Sequence, residues 1–128
     1  MVAAPPPPPP SPAAIVRAWS SALNANDNAA AARLFAPNAR VVQGPLDARL
    51  TSPQLALAFN ASLPCAGRIV RLTVKGSRAT ATFVLGHRPR HTCNAGRGEK
   101  AAAVFVVRAG KIVLWEEVPV PQTGGPPA

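Results

Sequence analysis

Carboxylates are the first side chains to consider, because proton transfer in an apolar pocket usually depends on them. The sequence of 128 residues contains only five. Asp27 lies between two apolar-periodic segments, which predicts a helix cap, and Glu99 opens a predicted strand beside a charged loop, where we expect it to be solvated. Glu116 and Glu117 fall on opposite faces of the last predicted strand, because side chains alternate along a strand.

A second group that could do chemistry lies in an arginine-rich loop. His87, His91 and Cys93 have a spacing that could bind a metal ion in principle. A convincing fourth ligand is missing, and four positive charges disfavour a cation: Arg88, Arg90, Arg97 and Lys100. A Cys–His nucleophile pair would also lack a nearby acid to orient the base. We therefore predict no metal and no other cofactor.

The two cysteines, Cys65 and Cys93, are the only thiols. If the strands on either side of Gly76 and Ser77 pair as a hairpin, Cys65 lies opposite about Arg88, close to the loop that contains Cys93. We predict a disulfide, which would stabilise the fold by on the order of 3 kcal/mol and would imply an oxidising compartment. The alternative is two unpaired thiols in a cytoplasmic protein.

The net charge is +9, which favours anionic partners. The basic residues are spread one or two at a time, however, and an arginine-rich, lysine-poor composition is also typical of high-GC genomes. Aromatic residues are not interleaved with them, as single-strand binding would require. We predict no specific nucleic-acid partner, a hypothesis that depends on the basic side chains not gathering on one face.

The two ends of the chain differ in composition from its middle. Residues 1–12 are proline-rich and are predicted to be a disordered tail, and residues 119–128 a flexible one. No apolar run approaches the ~20 residues that span a bilayer, so no membrane partner is expected. The first residues do not resemble a signal peptide. A signal removed from a longer precursor would leave such a tail, so a secreted or periplasmic location stays open.

Between the tails, the order of predicted elements indicates an α+β domain over residues 13–118. Apolar residues at helical spacing predict a helix from Pro12 to Ala25 with Ser11 as its cap, and a second from Ala29 to Phe35 that Pro37 ends. A strand follows over residues 39–43, with a short partner over 46–50. A third helix begins at Thr51 or Ser52, and four strands follow as two hairpins over residues 68–75, 79–85, 99–108 and 111–118. Asn60-Ala-Ser62 matches a glycosylation sequon, which we discount because it falls within that third helix.

This order resembles the nuclear-transport-factor-2-like (NTF2-like) superfamily, which includes SnoaL-like and ketosteroid-isomerase-like proteins. Three segments carry the resemblance: residues 16–27 are similar to its opening helix and acidic turn, 31–39 to its segment before the first strand, and 105–116 to its closing hairpin. The resemblance implies a cone in which three N-terminal helices pack on a curved, mostly antiparallel sheet. It also implies an apolar pocket and homodimers that pack through the outer face of the sheet.

The resemblance also implies which residues line the pocket. Ketosteroid-isomerase-like members use an aspartate base, an acid and tyrosines, and these positions fall here on Gly44, on Ala102, and on Trp19, Phe35 and Phe59. Neither Gly44 nor Ala102 can exchange a proton, so that chemistry is not expected. The face of the last strand that enters the cone carries Trp115 and Glu117, and Gln43 is a possible polar partner of Glu117. The expected ligand-binding set is Trp19, Phe35, Gln43, Phe59, Val104, Trp115 and Glu117.

Three functional hypotheses follow. The first is a SnoaL-like domain whose pocket binds a small apolar ligand without catalysis. The second is an isomerase, cyclase or hydrolase that uses Glu117 as acid or base with a neighbouring basic residue. It loses its candidate acid if Glu117 is exposed. The third is a basic module for an anionic polymer.

Overall fold

The computed structural model describes residues 3–94 and 96–121. Within them lie three helices and six strands. In chain order these are α1 (Pro12–Asn24), α2 (Asn28–Arg33), β1 (Phe35–Gln43), β2 (Leu46–Leu50), α3 (Pro53–Ser62), β3 (Cys65–Lys75), β4 (Arg78–His87), β5 (Lys100–Arg108) and β6 (Lys111–Val118).

All three helices begin where the sequence predicts a capping side chain. Ser11 accepts a hydrogen bond from the Ala14 backbone N–H at 3.2 Å, Asp27 accepts from Ala30, and Ser52 accepts from Leu55. Ser11 and Ser52 are each followed by a proline at the first helical position, where no N–H is needed. These caps fix the entry points of the helices that cover one side of the sheet.

The prediction for the end of α2 was wrong. We expected helix as far as Phe35, but α2 ends at Arg33 and Phe35 is the first residue of β1. The backbone N–H of Ile112 donates to the carbonyl of Leu34 at 2.8 Å, and Phe35 pairs with Ile112. Pairing with β6, which is distant in the sequence, therefore overrides the helical pattern of Leu34 and Phe35.

The six strands form one sheet in the order β2-β1-β6-β5-β4-β3. Every neighbouring pair is antiparallel except β1 and β6, which are parallel. The three helices contact the inner, concave face of this curved sheet. The predicted α+β cone is confirmed.

A one-residue bulge in β3 changes the predicted register. Ile69 pairs with Phe83 but Arg71 pairs with Thr82, so Val70 is the extra residue. Cys65 consequently lies opposite His87, one position away from the predicted Arg88. The bulge also turns Arg71 to the outer face of the sheet, since Ile69 and Arg71 would otherwise share the inner one.

The core contains all six aromatic residues of the chain. Trp19 has the most aromatic neighbours, with ring centroids 5.2 Å from Phe105 and 6.0 Å from both Phe83 and Trp115. Phe59 extends the cluster from Trp115 to Phe35. Edge-to-face packing of this kind adds to the stabilisation by burial.

The two ends of the chain lie outside the helices and strands. Residues 3–10 have no regular structure, but Pro9 and Pro10 lie against Gly110 in the turn between β5 and β6, where an added Cβ would be 2.8 Å from Pro10 Cδ. Of the predicted C-terminal tail, residues 122–128 lie outside the described part. None of the three described helices is long and apolar enough to cross a membrane.

Candidate functional site

A cavity of about 200 Å³ lies between the helices and the inner face of the sheet. Its lining comes from α1, from the two residues that follow α3 and from all strands except β2. Most of the lining is apolar. The residues are Trp19, Ser20, Leu23, Gln43, Leu63, Pro64, Cys65, Ala66, Gly67, Phe83, Leu85, Ala101, Ala102, Ala103, Trp115 and Glu117.

Four of the seven predicted ligand-binding residues lie in this lining: Trp19, Gln43, Trp115 and Glu117. Pairing within the sheet explains why Trp115 and Glu117 face inwards. Trp115 is opposite the fully buried Phe105, and Glu117 is opposite Ala103. The strand face inferred from the resemblance is therefore the face that the structure turns towards the cavity.

The other three predicted residues lie outside this lining. Phe59 is buried against Trp115, with ring centroids 5.2 Å apart, and so supports the cavity wall from behind. Phe35 lines a separate groove between α2, α3 and the first two strands. Val104 pairs with Glu116 and lies on the outer face of the sheet, since its neighbours Ala103 and Phe105 face inwards.

The two tryptophans of the cavity differ in their hydrogen bonds. The indole Nε1–H of Trp19 donates to Asn60 Oδ1 at 2.9 Å. Trp115 is 4% exposed, and its Nε1–H has no partner among the described residues. A buried donor without a partner is costly and rare, and because this Nε1 has almost no accessible surface, it does not open onto the cavity.

Glu117 is the one ionisable side chain among the described residues that line the cavity. Its side chain is exposed, which places it at the mouth. Gln43 Nε2 donates to Glu117 Oε2 at 3.4 Å, a long and weak contact. The enzyme hypothesis requires a sheltered acid with a basic neighbour, and the described lining contains neither.

The positions that correspond to the isomerase residues also lack proton-transfer groups in the structure. Gly44 is an exposed turn residue between β1 and β2, with φ at 55°. Ala102 is buried and has only a methyl side chain, which the alternation along β5 places on the outer face together with Val104. The described lining of this cavity is mostly apolar and does not supply an acid–base pair.

Sequence reasoning missed the most heavily buried charge, the guanidinium of Arg88, which is 2% exposed. Its Nη1 donates at 2.7 Å to the backbone carbonyls of Asn60 and Leu63, at the C-terminal end of α3. Its Nη2 donates to the side-chain oxygens of Asn26, at 2.9 Å, and Asn28. We call these five residues the Arg88 clamp.

The Arg88 clamp contains no carboxylate. Burial lowers the pKa of the Arg88 guanidinium from its ordinary value, because the charged form is desolvated. Four neutral oxygens offset that cost, and the two helix-end carbonyls carry the negative end of the α3 dipole. Nothing in the local sequence distinguishes Arg88 from Arg90, which is exposed.

Asn60, which is fully buried, connects the Arg88 clamp to the cavity wall. The amide of Asn60 donates to the Ala56 carbonyl at 2.8 Å and accepts from Trp19, while its own backbone carbonyl accepts from Arg88. This burial leaves no room for a sugar on the sequon that begins at Asn60. A buried amide instead holds one tryptophan of the cavity wall in place.

The predicted disulfide between Cys65 and Cys93 is present, with Cα atoms 4.8 Å apart. His87 Nδ1 accepts a hydrogen bond from the Cys93 backbone N–H at 2.9 Å, and both ring nitrogens of His91 contact backbone carbonyls. The three residues considered as metal ligands are thus engaged in structural contacts. Cys65 itself lines the cavity, so the disulfide joins the cavity wall to the loop after β4.

Some basic side chains do gather on one surface. Arg68, Arg71, Lys75 and Arg78 are exposed on the outer face of β3 and β4. No carboxylate occurs in either strand, and no aromatic side chain lies on that face. The surface can make charge contacts with an anion, but it lacks the stacking groups that recognise bases.

Comparisons with solved structures agree with this architecture. An NTF2-like protein from Cytophaga hutchinsonii aligns over 84% of this chain and 88% of its own, with a TM-score of 0.68 and 11% identity. A proposed polyketide cyclase from Sinorhizobium meliloti aligns over 81% and 93%, with a TM-score of 0.65 and 22% identity. A proposed ketosteroid isomerase from Kribbella flavida aligns over 91% and 83%, with a TM-score of 0.65 and 20% identity.

At these identities the structural likeness establishes the fold and leaves the activity open. A comparison with curated protein sequences finds no significant match. The sequence model of one family, the SnoaL-like domain, matches residues 16–115, which is most of the chain and includes both tryptophans of the cavity. The chain therefore belongs to the SnoaL-like domain family of the NTF2-like fold.

Proposed function

We propose that this domain binds a small, largely apolar molecule in the cavity between its helices and sheet, without proton-transfer chemistry. The observation that carries the proposal is the mostly apolar lining of the 200 Å³ cavity. The ligand is then a molecule with a largely apolar body.

The size of the cavity limits the ligand. Pockets for drug-sized molecules run to roughly 300–1,000 Å³, whereas an apolar cavity of about 150 Å³ is enough to hold benzene. A volume of about 200 Å³ therefore suits a molecule with one ring or a short branched chain. Larger polycyclic molecules would have to protrude through the mouth.

Intrinsic fluorescence can test the proposal directly. The chain has two tryptophans and no tyrosine, and both tryptophans line the cavity. We expect titration with 1-phenyl-1,2-ethanediol, a neutral one-ring molecule with hydroxyl acceptors, to change the emission in a saturable manner.

A variant with a smaller cavity serves as the comparison for this titration. Ala101 lines the cavity and is half-buried, so Ala101→Leu should occupy part of the volume and remove the saturable response. Ala58→Leu, the same change at an exposed position of α3, should bind like the unmodified protein. Equal binding by both variants, or no binding by the unmodified protein, would overturn the proposal.

The disulfide supports a further proposal about location. Stable disulfides occur mainly in secreted and periplasmic proteins, and Cys65–Cys93 contributes to the cavity wall. The domain then works in an oxidising compartment. Two freely labelled thiols in protein isolated from its native source under non-reducing conditions would contradict this.

Self-association is the remaining part of the proposal. The centre of the outer sheet face carries half-buried apolar side chains, including Val42, Val106, Leu114 and Val118. A homodimer through this face would bury them. Light scattering should give twice the chain mass for the unmodified protein and a single mass for Leu114→Glu, and a monomer in both cases would refute this part.

A further inference from the structure

We propose that the ligand is a small amine in its protonated form, with its apolar body in the cavity and its ammonium group against Glu117 at the mouth. The inference rests on the proposed function and adds the charge of the ligand to it. It assigns Glu117 a binding role, as the counter-charge for a cation.

The first argument is the distribution of charge. The chain has 14 basic and five acidic side chains, yet none of the basic ones is among the described residues of the cavity lining, and one carboxylate is. The local charge of the cavity is therefore opposite in sign to the net charge of the protein. A carboxylate ligand would meet Glu117 and find no basic side chain in that lining, whereas an ammonium ligand would find a counter-charge.

The second argument is that Glu117 is available. No lysine, arginine or histidine of the described residues forms an ion pair with it; the ion pair in that part of the chain joins Arg40 and Asp47. Its one contact is the long hydrogen bond from Gln43, which involves Oε2 and leaves Oε1 for a donor on the ligand. An ammonium group has three donors, so it can bond to Oε1 while Gln43 keeps its place.

The third argument is the position of Glu117 relative to Trp115. Two residues apart on one face of a strand, their Cα atoms are about 7 Å apart. A cation held by Glu117 is therefore within reach of the Trp115 ring, which attracts positive charge through its quadrupole.

Three isosteric probes separate the effect of charge from that of shape. They are 2-amino-1-phenylethanol, 1-phenyl-1,2-ethanediol and mandelate, which share a ring and a hydroxyl group and are positive, neutral and negative at neutral pH. We expect the amine to bind about 5- to 10-fold more tightly than the diol, because it adds an ion pair and a cation–π contact at a site open to solvent. Mandelate should bind more weakly than the diol, although the net charge of the protein favours an anion.

Two variants with the same change in net charge test whether Glu117 is the cause. Glu117→Gln should bring the affinity ratio of amine to diol close to one. Glu116→Gln removes a carboxylate from the adjacent residue, on the outer face of the sheet, and should leave the ratio unchanged. Thermal unfolding of both variants shows whether they are folded.

The outcomes distinguish this inference from the function it rests on. If no probe binds, the proposed function fails and the inference fails with it. If the diol binds and the amine binds no more tightly, or if the two variants change the ratio equally, only the inference is overturned. A preference for the amine that Glu117→Gln abolishes and Glu116→Gln preserves supports both.

Discussion

Two charged side chains of this domain, Arg88 and Glu117, have opposite surroundings. The Arg88 guanidinium is buried and bonds to four oxygens of the protein. The Glu117 carboxylate is exposed at the cavity mouth, with one long contact to Gln43. Arg88 is bonded to its own chain through both terminal nitrogens and holds the fold together, although its Nε has no partner among the described residues, whereas the Glu117 carboxylate is available to a ligand.

The largest expected effect comes from removing the buried charge. Arg88→Met would remove the donor that bonds to the backbone carbonyls of Asn60 and Leu63, and the Asn60 carbonyl would keep only the long bond from the Leu63 N–H at 3.4 Å. We expect the free energy of unfolding to fall by about 3–5 kcal/mol, because several buried oxygens lose a donor and each such loss costs about 1–3 kcal/mol. Denaturant titration measures this. Arg90→Met, at an exposed position in the same loop, is the matched control and should change stability by less than about 0.5 kcal/mol.

Loss of the disulfide should have the second largest effect on the free energy of unfolding. Replacing Cys65 and Cys93 together by serine releases a loop of 28 residues, and the chain-entropy model assigns it about 3–4 kcal/mol. Amide exchange should become faster in the loop after β4 than in β5 and β6. Uniformly faster exchange across the sheet would mean that the disulfide supports the whole domain.

We expect a substitution at the cavity mouth to have almost no effect on stability. Glu117→Gln should alter the free energy of unfolding by less than about 0.5 kcal/mol, since the side chain is exposed and makes one weak contact. The same denaturant titration measures it. A loss comparable to that of Arg88→Met would remove the contrast between the two groups and assign Glu117 to the fold.

The exposed ion pair between Arg40 and Asp47 gives the smallest effect. Arg40 holds the pKa of the Asp47 carboxyl below its ordinary value through two hydrogen bonds, of which the shorter is 2.8 Å. Since the pKa in the folded state is lowered, the contribution is present above the ordinary pKa of aspartate and is lost as the pH falls through the lowered value. Carboxyl chemical shifts followed against pH should show a higher pKa for Asp47 in Arg40→Gln. An unchanged value would mean that the pair does not form in solution.

Local sequence signals were enough to predict the parts of the fold that depend on near neighbours. The caps at Ser11, Asp27 and Ser52 bond to residues three positions ahead, and the predicted disulfide follows from the pairing of one hairpin. The inward face of Trp115 and Glu117 follows from strand alternation together with the family resemblance. All of these depend on spacing that can be read along the chain.

The features that sequence missed depend on distant partners. Phe35 belongs to β1 because β6 pairs with it, and the bulge at Val70 has no local signal. Arg88 is buried because oxygens from the α1–α2 turn and the end of α3 converge on it, and its neighbours in the sequence give no hint of this. The placement of Val104 on the outer face follows from the register of β5, which needs the whole sheet.

A crystal structure of the protein with 2-amino-1-phenylethanol would test the central claim most directly. We predict the ring inside the cavity against Trp19, Phe83 and Trp115, with the nitrogen at about 3 Å from a Glu117 carboxylate oxygen. The positions of the Arg88 clamp residues should be unchanged. A ligand bound elsewhere, or a cavity closed by the surrounding side chains, would contradict the assignment of this cavity as the binding site.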